Sequence, residues 1–325
     1  MAPISPTQSN AQAALAAFLG AILPGIPGQQ PAVFTGAIAG TTLTVGALPG
    51  KQPAGILGTI QPNAPLLGLG VAPGTTIVQQ LSGASGGIGT YQVASAQSVG
   101  QATMSTGVTI VAGQQNRVAE PANPYFCVFT PIQFKRLATN LDTAADCKLA
   151  GLIVGAVLTV SDVAFGSIIP PCALFGTGVA SSTTVLSQAS GFPLGQAGTY
   201  NVAPAQAAAK ATMSAGTKSM LQSAELVVQC DFHSPDTLAG DFAQTVSTAL
   251  RDEFGTTFFA SINANITPLY ADDPAQRPFT NAENQFEWRW SLDVHLEVDQ
   301  TVVVPQLYAD SVEAELIDVD ATFPP

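Results

Sequence analysis

The sequence predicts an α+β fold in which one sheet with flanking helices is interrupted by two small all-β insertions, each a sandwich or a barrel. Three observations lead there. From Gln285 to Asp299 apolar and polar residues alternate without error: Phe286, Trp288, Trp290, Leu292, Val294, Leu296 and Val298 share one face, and Gln285, Glu287, Arg289, Ser291, Asp293, His295, Glu297 and Asp299 share the other. A period of two marks a strand with one buried face, here roughly 45 Å long at about 3.3 Å per residue. Two other stretches carry the 3.6-residue period of helices. Finally, two Gly/Thr-rich stretches repeat one another's words.

The first helix is expected after Ser9-Asn10-Ala11-Gln12, which reads as a capping box, with Leu15, Phe18, Leu19, Ile22 and Leu23 on its apolar stripe and Pro24-Gly25 ending it. The second is expected at Ser234-Pro235-Asp236, with Ser234 as N-cap, Leu238, Phe242, Val246 and Leu250 buried, and Phe254-Gly255 closing it. Strands are expected at Val108–Ala112, at Tyr125–Thr130, apolar on both faces and so central in a sheet, and at Glu225–Phe232, where Leu226, Val228, Cys230 and Phe232 alternate with Glu225, Val227, Gln229 and Asp231. Gly113–Arg117 reads as a turn, and a short helix around Ala309–Leu316 precedes an acidic tail.

Between these pieces the texture changes to Gly, Thr, Ala, Val and Pro. Gly68-Leu69-Gly70-Val71-Ala72-Pro73-Gly74-Thr75-Thr76-Ile77 is matched by Gly176-Thr177-Gly178-Val179-Ala180-Ser181-Ser182-Thr183-Thr184-Val185. Likewise Gly89-Thr90-Tyr91-Gln92-Val93 is matched by Gly198-Thr199-Tyr200-Asn201-Val202, Ala102-Thr103-Met104-Ser105 by Ala211-Thr212-Met213-Ser214, and Leu43-Thr44-Val45 by Leu158-Thr159-Val160. The chain therefore reads as a discontinuous α+β core of residues 1–30, 108–145 and 217–325, carrying β-module 1 at 31–107 and β-module 2 at 146–216.

Composition narrows the function. Of 325 residues 46% are hydrophobic, enough for a substantial core, but only 10% are charged, so much of the surface is neutral, as in proteins that pack against other subunits. The net charge of −12, with no Lys/Arg cluster, argues against tight nucleic-acid binding, although an acidic wall lets DNA slide past without adhering. Ala11–Leu23 lacks a basic leader and is too short to span a bilayer, so neither a signal peptide nor a membrane segment is expected. Cys127, Cys147, Cys172 and Cys230 form no Cys-x-x-Cys pair and read as buried thiols of a protein made in a reducing cytoplasm.

Catalytic and metal motifs are weak. Gly46-Ala47-Leu48-Pro49-Gly50-Lys51 is one residue short of a phosphate-binding loop, lacks Ser or Thr after the Lys and leads into Gln52-Pro53 instead of a helix, so it reads as a turn. Gly68-Leu69-Gly70 and Gly176-Thr177-Gly178 lack the third glycine of a dinucleotide fingerprint. His295 with Asp293 and Glu297 on one strand face is either a weak metal site or simply solvated or at a subunit contact. Asp272 and Asp273 are either a carboxylate pair for acid/base work or an Asp-Asp-Pro turn. For Arg289 the alternatives are an ion pair within the sheet, with Glu287 nearby, or one with a neighbouring subunit. No cofactor, metal ligand set or catalytic constellation is expected.

The core segments Ala17-Phe18-Leu19-Gly20-Ala21-Ile22-Leu23-Pro24-Gly25, Gly113-Gln114-Gln115-Asn116-Arg117-Val118-Ala119-Glu120-Pro121, Pro268-Leu269-Tyr270-Ala271-Asp272-Asp273-Pro274, Asn281-Ala282-Glu283-Asn284-Gln285-Phe286-Glu287-Trp288-Arg289-Trp290 and Val304-Pro305-Gln306-Leu307-Tyr308-Ala309-Asp310 together resemble the neck or tail terminator proteins of tailed bacteriophages. The resemblance rests on their order and covers the core but neither module. It implies a tail-terminator-like sheet and a non-enzymatic structural role in the virion: a homo-oligomeric ring, usually a hexamer, that caps the tail tube, joins it to the head-tail connector or adaptor, and lies beside the sheath where there is one. DNA passes through such a ring without sequence-specific binding and no membrane is involved. Six copies at −12 would carry −72, which suits an acidic channel. With the polar strand face and the acidic loop building subunit contacts, the ring interface is expected at or near Asp272, Asp273, Arg277, Glu287 and Arg289. The rival expectation is a virion decoration protein, or a binder of glycans or a cell surface, acting through the duplicated modules. These are poor in aromatic residues, with Tyr91 and Tyr200 at equivalent positions and few others.

Overall fold

A computed structural model describes residues 4–25, 30–49, 55–113, 121, 123–280 and 286–305. The fold is α+β, with a large mixed sheet and few helices: α1 Gln8–Ile22, α2 Leu238–Leu250 and α3 Glu253–Ile262 among the described residues. No helix there is long and apolar enough to cross a membrane. By internal contacts the chain divides into two units, one containing Asn140–Leu221 and the other Ser5–Thr139 with Gln222–Gln300.

The larger unit is organised around the alternating strand, observed as Phe286–Pro305. Leu292, Val294, Leu296 and Val298 are fully buried, as their period requires. Their core continues through Leu226, Val228, Cys230 and Phe232, and is closed by Ala14, Leu15, Phe18 and Leu19 of α1, Phe242, Val246 and Leu250 of α2, and Phe258 and Phe259 of α3. The strand Phe126–Arg136 is central, as its apolar character on both faces predicts: it pairs antiparallel with residues 224–233 and parallel with Thr109–Ala112.

Several boundaries differ from the sequence expectation. The capping box of α1 is Thr7 with Asn10: the Asn10 amide donates to Thr7 Oγ1 at 3.2 Å and the Thr7 amide to Asn10 Oδ1 at 2.8 Å. The helix therefore starts one residue before Ser9, because Thr7 and Asn10 already have the N-cap to N3 spacing. At α2 the helix proper begins at Leu238. Ser234 and Asp236 still supply its start, accepting from the amides of Ala239 and Leu238 at 2.9 Å each. Phe254-Gly255 does not end the helical region. Asp252 caps a third helix, accepting from the Phe254 amide at 2.9 Å, and a Cβ on Gly255 would lie 2.8 Å from the Ala249 carbonyl oxygen. Gly255 thus serves a close approach between α2 and α3 instead of a stop. Gly198–Ser234 runs as one strand of 37 residues, where separate strands were expected; no Gly or Pro interrupts it between Gly216 and Pro235. The expected turn at Gly113–Arg117, from residue 114 on, and the expected helix at Ala309–Leu316 lie outside the described residues, as do Gly50 and Lys51.

The span 31–107 forms an antiparallel sheet in which Gly89–Thr106 lies along Ala32–Gly46 on one side and against Leu66–Gly68 and Ile77–Gly83 on the other. It meets α1 closely. Ser105 Oγ donates to the Ala17 carbonyl at 2.7 Å, and a Cβ on Gly107 would sit 2.3 Å from the Gly20 carbonyl oxygen. The other unit holds Leu141–Phe165, Cys172–Gly176, Thr184–Ser190 and the first part of Gly198–Ser234 around its own core of Leu158, Val160, Leu174, Val185, Tyr200 and Met213. Residues matched between the two spans make matched bonds. Gln97 Oε1 accepts from the Ala72 amide at 2.8 Å and its Nε2 donates to Thr75 Oγ1 at 3.0 Å; Gln206 does the same with Ala180 and Thr183, at 2.7 Å each. All four cysteines are free and buried. Burial pushes Cys147 up to about 11 and Cys172 to about 12, so both are unreactive thiols at neutral pH.

Candidate functional site

The polar face of the Phe286–Pro305 strand meets the polar face of Gln222–Ser234 in the same sheet. Both strands place odd-numbered residues on that side, so side chains pair across them in antiparallel order: Ser223 with Asp299, Gln229 with Asp293, Asp231 with Ser291. Hydrogen bonding here joins two elements far apart in the chain.

Three clusters occupy the face. At its centre Arg289 Nη2 donates to Asp231 Oδ2 at 2.6 Å, while Ser291 Oγ donates to Asp231 Oδ1; the Asp231 side chain is buried. Towards one end, His295 Nδ1 donates to Glu225 Oε1 at 2.6 Å and Tyr270 stacks on its ring at 4.1 Å. Lys135 Nζ lies 3.5 Å from Glu225 Oε2 and Asp272 Oδ1 lies 3.6 Å from His295 Nε2. The hydrogen bond from His295, with help from Lys135, holds the Glu225 carboxyl below its usual range despite its burial. Towards the other end, His233 Nδ1 lies 3.3 Å from Glu287 Oε2, and its ring stacks on Phe126 at 4.6 Å with 8° between planes.

Burial lowers the His233 pKa, and the Arg289 charge adds to this; Glu287 and Asp231 oppose it without reversing the direction. Since the folded protein favours neutral His233, the unfolded chain binds more protons as pH falls through the ordinary value of 6.5. This contribution to stability is therefore complete above that value and declines below it, down to the lowered folded pKa. Urea unfolding at pH 7.5 and 5.5 should show a loss at the lower pH that His233→Gln, which keeps a donor for Glu287, reduces. The depressed Glu225 acts in a separate window, below its ordinary 4.5. An equal loss between pH 7.5 and 5.5 in the variant would remove His233 from the account.

Of the residues expected at the ring interface, the structure brings Asp272, Glu287 and Arg289 into this network. Asp273 turns away: its side chain is 98% exposed and lies 3.8 Å from Arg251 Nη2 at the end of α2. Arg277 is exposed, and its backbone amide donates to the Arg289 carbonyl at 2.9 Å. The carboxylates of Asp272 and Asp273 thus have different partners. The metal alternative at His295 is also met otherwise, since its Nδ1 faces Glu225 and Asp293 accepts from Gln229 Nε2 at 3.2 Å. Among the described residues no group of three or more His, Cys, Asp or Glu is placed to hold a metal ion. Sequence reasoning missed Glu225, Asp231, His233, Tyr270 and Lys135 as members of the site. The signal was the matching alternation of Glu225 to His233, which shows a second polar face but not its partner.

The arrangement fastens one strand to another within the sheet. Residues 185–323, less than half of the chain, match the family described as phage neck terminator protein. No curated protein matches the chain. The family is structural and non-catalytic, and the match is consistent with a neck or tail role in the virion. It takes in both strands of the polar network from Glu225 onward. It also begins within the span 146–216 and leaves out α1, whereas the resemblance read from the sequence includes α1 and neither expected module.

Proposed function

We propose that the chain is a structural protein of the phage neck whose core, residues 1–30, 108–145 and 217–325, closes into a ring of six that caps the tail tube and joins it to the head-tail connector. Residues 31–107 and 146–216 are two copies of one inserted β-module. DNA passes through an acidic channel without sequence-specific contact. The observation that carries this reading is the terminator-family match over 185–323, which contains the fastened polar strands. The net charge of −12 supports the channel.

Asp272, Asp273, Arg277, Glu287 and Arg289 lie at or near the ring contact in this proposal. Glu287 and Arg289 are already engaged with His233 and Asp231, so they shape the surface, while exposed Asp273 and Arg277 reach the neighbouring subunit. Light scattering at two salt concentrations, followed by particle imaging, tests the ring: about six chains around a hole is the expected result. Asp273→Lys and Arg277→Glu, each alone, should lower the assembled mass with an unchanged melting temperature, since exposed substitutions cost within about 0.5 kcal/mol of fold stability. A monomer at every concentration counts against the ring. Rings of unchanged mass in both variants would remove these residues from its interface.

A further inference from the structure

The hairpins at the tips of the two modules have the same base and different ends. In module 1 Ser82 bonds Thr90 at 2.7 Å and the Gly86 amide donates to Gln80 Oε1 at 2.9 Å; in module 2 Ser190 bonds Thr199 at 2.7 Å and the Gly195 amide donates to Gln188 Oε1 at 2.8 Å. Between these anchors module 1 has Ala84-Ser85, and module 2 has Phe192-Pro193-Leu194. The hairpin itself does not call for large apolar residues, because module 1 forms the same base without them. Yet Phe192 is 92% exposed and Leu194 78%. Beside them Ile169, Pro170, Leu186 and Leu194 line a shallow groove of about 410 Å³, with Ile169 and Leu186 each about half exposed.

We infer that this tip is a self-association surface, where Phe192 of one copy enters the Ile169–Leu186 groove of a second copy. The first argument for that occupant is charge. Each chain carries −12, so copies repel one another, but between Lys148 and Lys210 module 2 holds one charged residue, Asp162. Two copies can approach through this surface with little Coulomb opposition. The second argument is shape: a projecting ring beside a groove in one patch is self-complementary, which a two-fold contact requires. Phe192 would bury about 150–250 Å², far less than the roughly 800 Å² per partner of a standard interface. The contact therefore adds to other contacts in an assembly and is weak alone.

The experiment places a photoreactive benzoylphenylalanine at position 192 in the full chain and irradiates a mixture of ¹⁴N- and ¹⁵N-labelled copies. Crosslinked peptides of mixed isotope that join position 192 to residues around Ile169 or Leu186 are the expected product, and they should be lost in Leu186→Ser. That substitution is at a half-exposed site, and an unchanged melting temperature checks that it folds. Crosslinks only within one copy, only to the core, or to another protein added from the virion would overturn the inference. It stands apart from the ring: a six-membered ring without the mixed crosslink removes this contact alone, and the mixed crosslink in a protein that forms no ring removes the ring alone.

Discussion

Arg289→Ala is expected to destabilise the protein by about 3 kcal/mol, the lower end of the range for breaking a buried ion pair. The loss comes less from the attraction that is removed than from the carboxylate left behind. Asp231 is buried and retains Ser291 as donor, while the 2.6 Å bond from Arg289 Nη2 is gone. Urea unfolding followed by fluorescence of Trp288 and Trp290, which flank the substituted position, measures it. Arg289→Met combined with Asp231→Leu should recover part of the loss, since both charges are removed and only the Ser291 hydroxyl loses its acceptor. A single-variant cost below about 0.5 kcal/mol, within the range of ordinary surface changes, would mean that Asp231 has enough other partners. The same physics makes charge reversal at Arg289 a poor test of ring contact, because it damages the sheet before any neighbour is involved.

Phe18→Ala should cost about 3–5 kcal/mol, the usual penalty for emptying the site of a buried aromatic side chain. Phe18 is fully buried on α1, with ring centroids 5.4 Å from Phe259, 5.6 Å from Phe258 and 6.0 Å from Phe254. Phe18→Leu, which keeps most of the volume, should cost clearly less. Beyond its size, this change tests how the larger unit is put together. Phe18 lies outside the family match, whereas α3 and both tryptophans lie within it. If α1 is part of one cooperative core, Phe18→Ala moves the tryptophan-detected transition and the far-UV transition together. A tryptophan transition that stays in place while helical signal is lost would show that α1 is separately stabilised.

The expected elements were legible where a local pattern carried the whole signal. Seven alternating apolar residues from Phe286 to Val298 identify the strand; Leu292, Val294, Leu296 and Val298 are buried as the period requires, whereas Trp288 and Trp290 are half-buried and Phe286 is exposed. The α1 stripe at Leu15, Phe18 and Leu19 is likewise found buried. The third helix was harder to read because a glycine inside a helix resembles a stop, and only its contact with the α2 backbone shows why Gly255 is there. The long strand from Gly198 to Ser234 is not evident as one element because the repeated words end at Ser214, although after Gly216 no Gly or Pro follows until Pro235.

From the sequence alone came the α+β class, the polar and apolar faces of each strand, and the two matched Gly/Thr-rich spans. These depend on spacing between near neighbours in the chain, which composition and period specify directly. Which polar residues meet was decided by tertiary structure. Asp231 lies 58 residues from Arg289, and Glu225 lies 70 from His295. Whether Glu287 or Asp231 takes the Arg289 guanidinium depends on strand register, and register is set by the burial of Leu226, Val228, Leu292 and Val294 on the opposite face. The apolar residues thus choose the partners of the polar ones, and that choice appears only when the two strands are laid side by side.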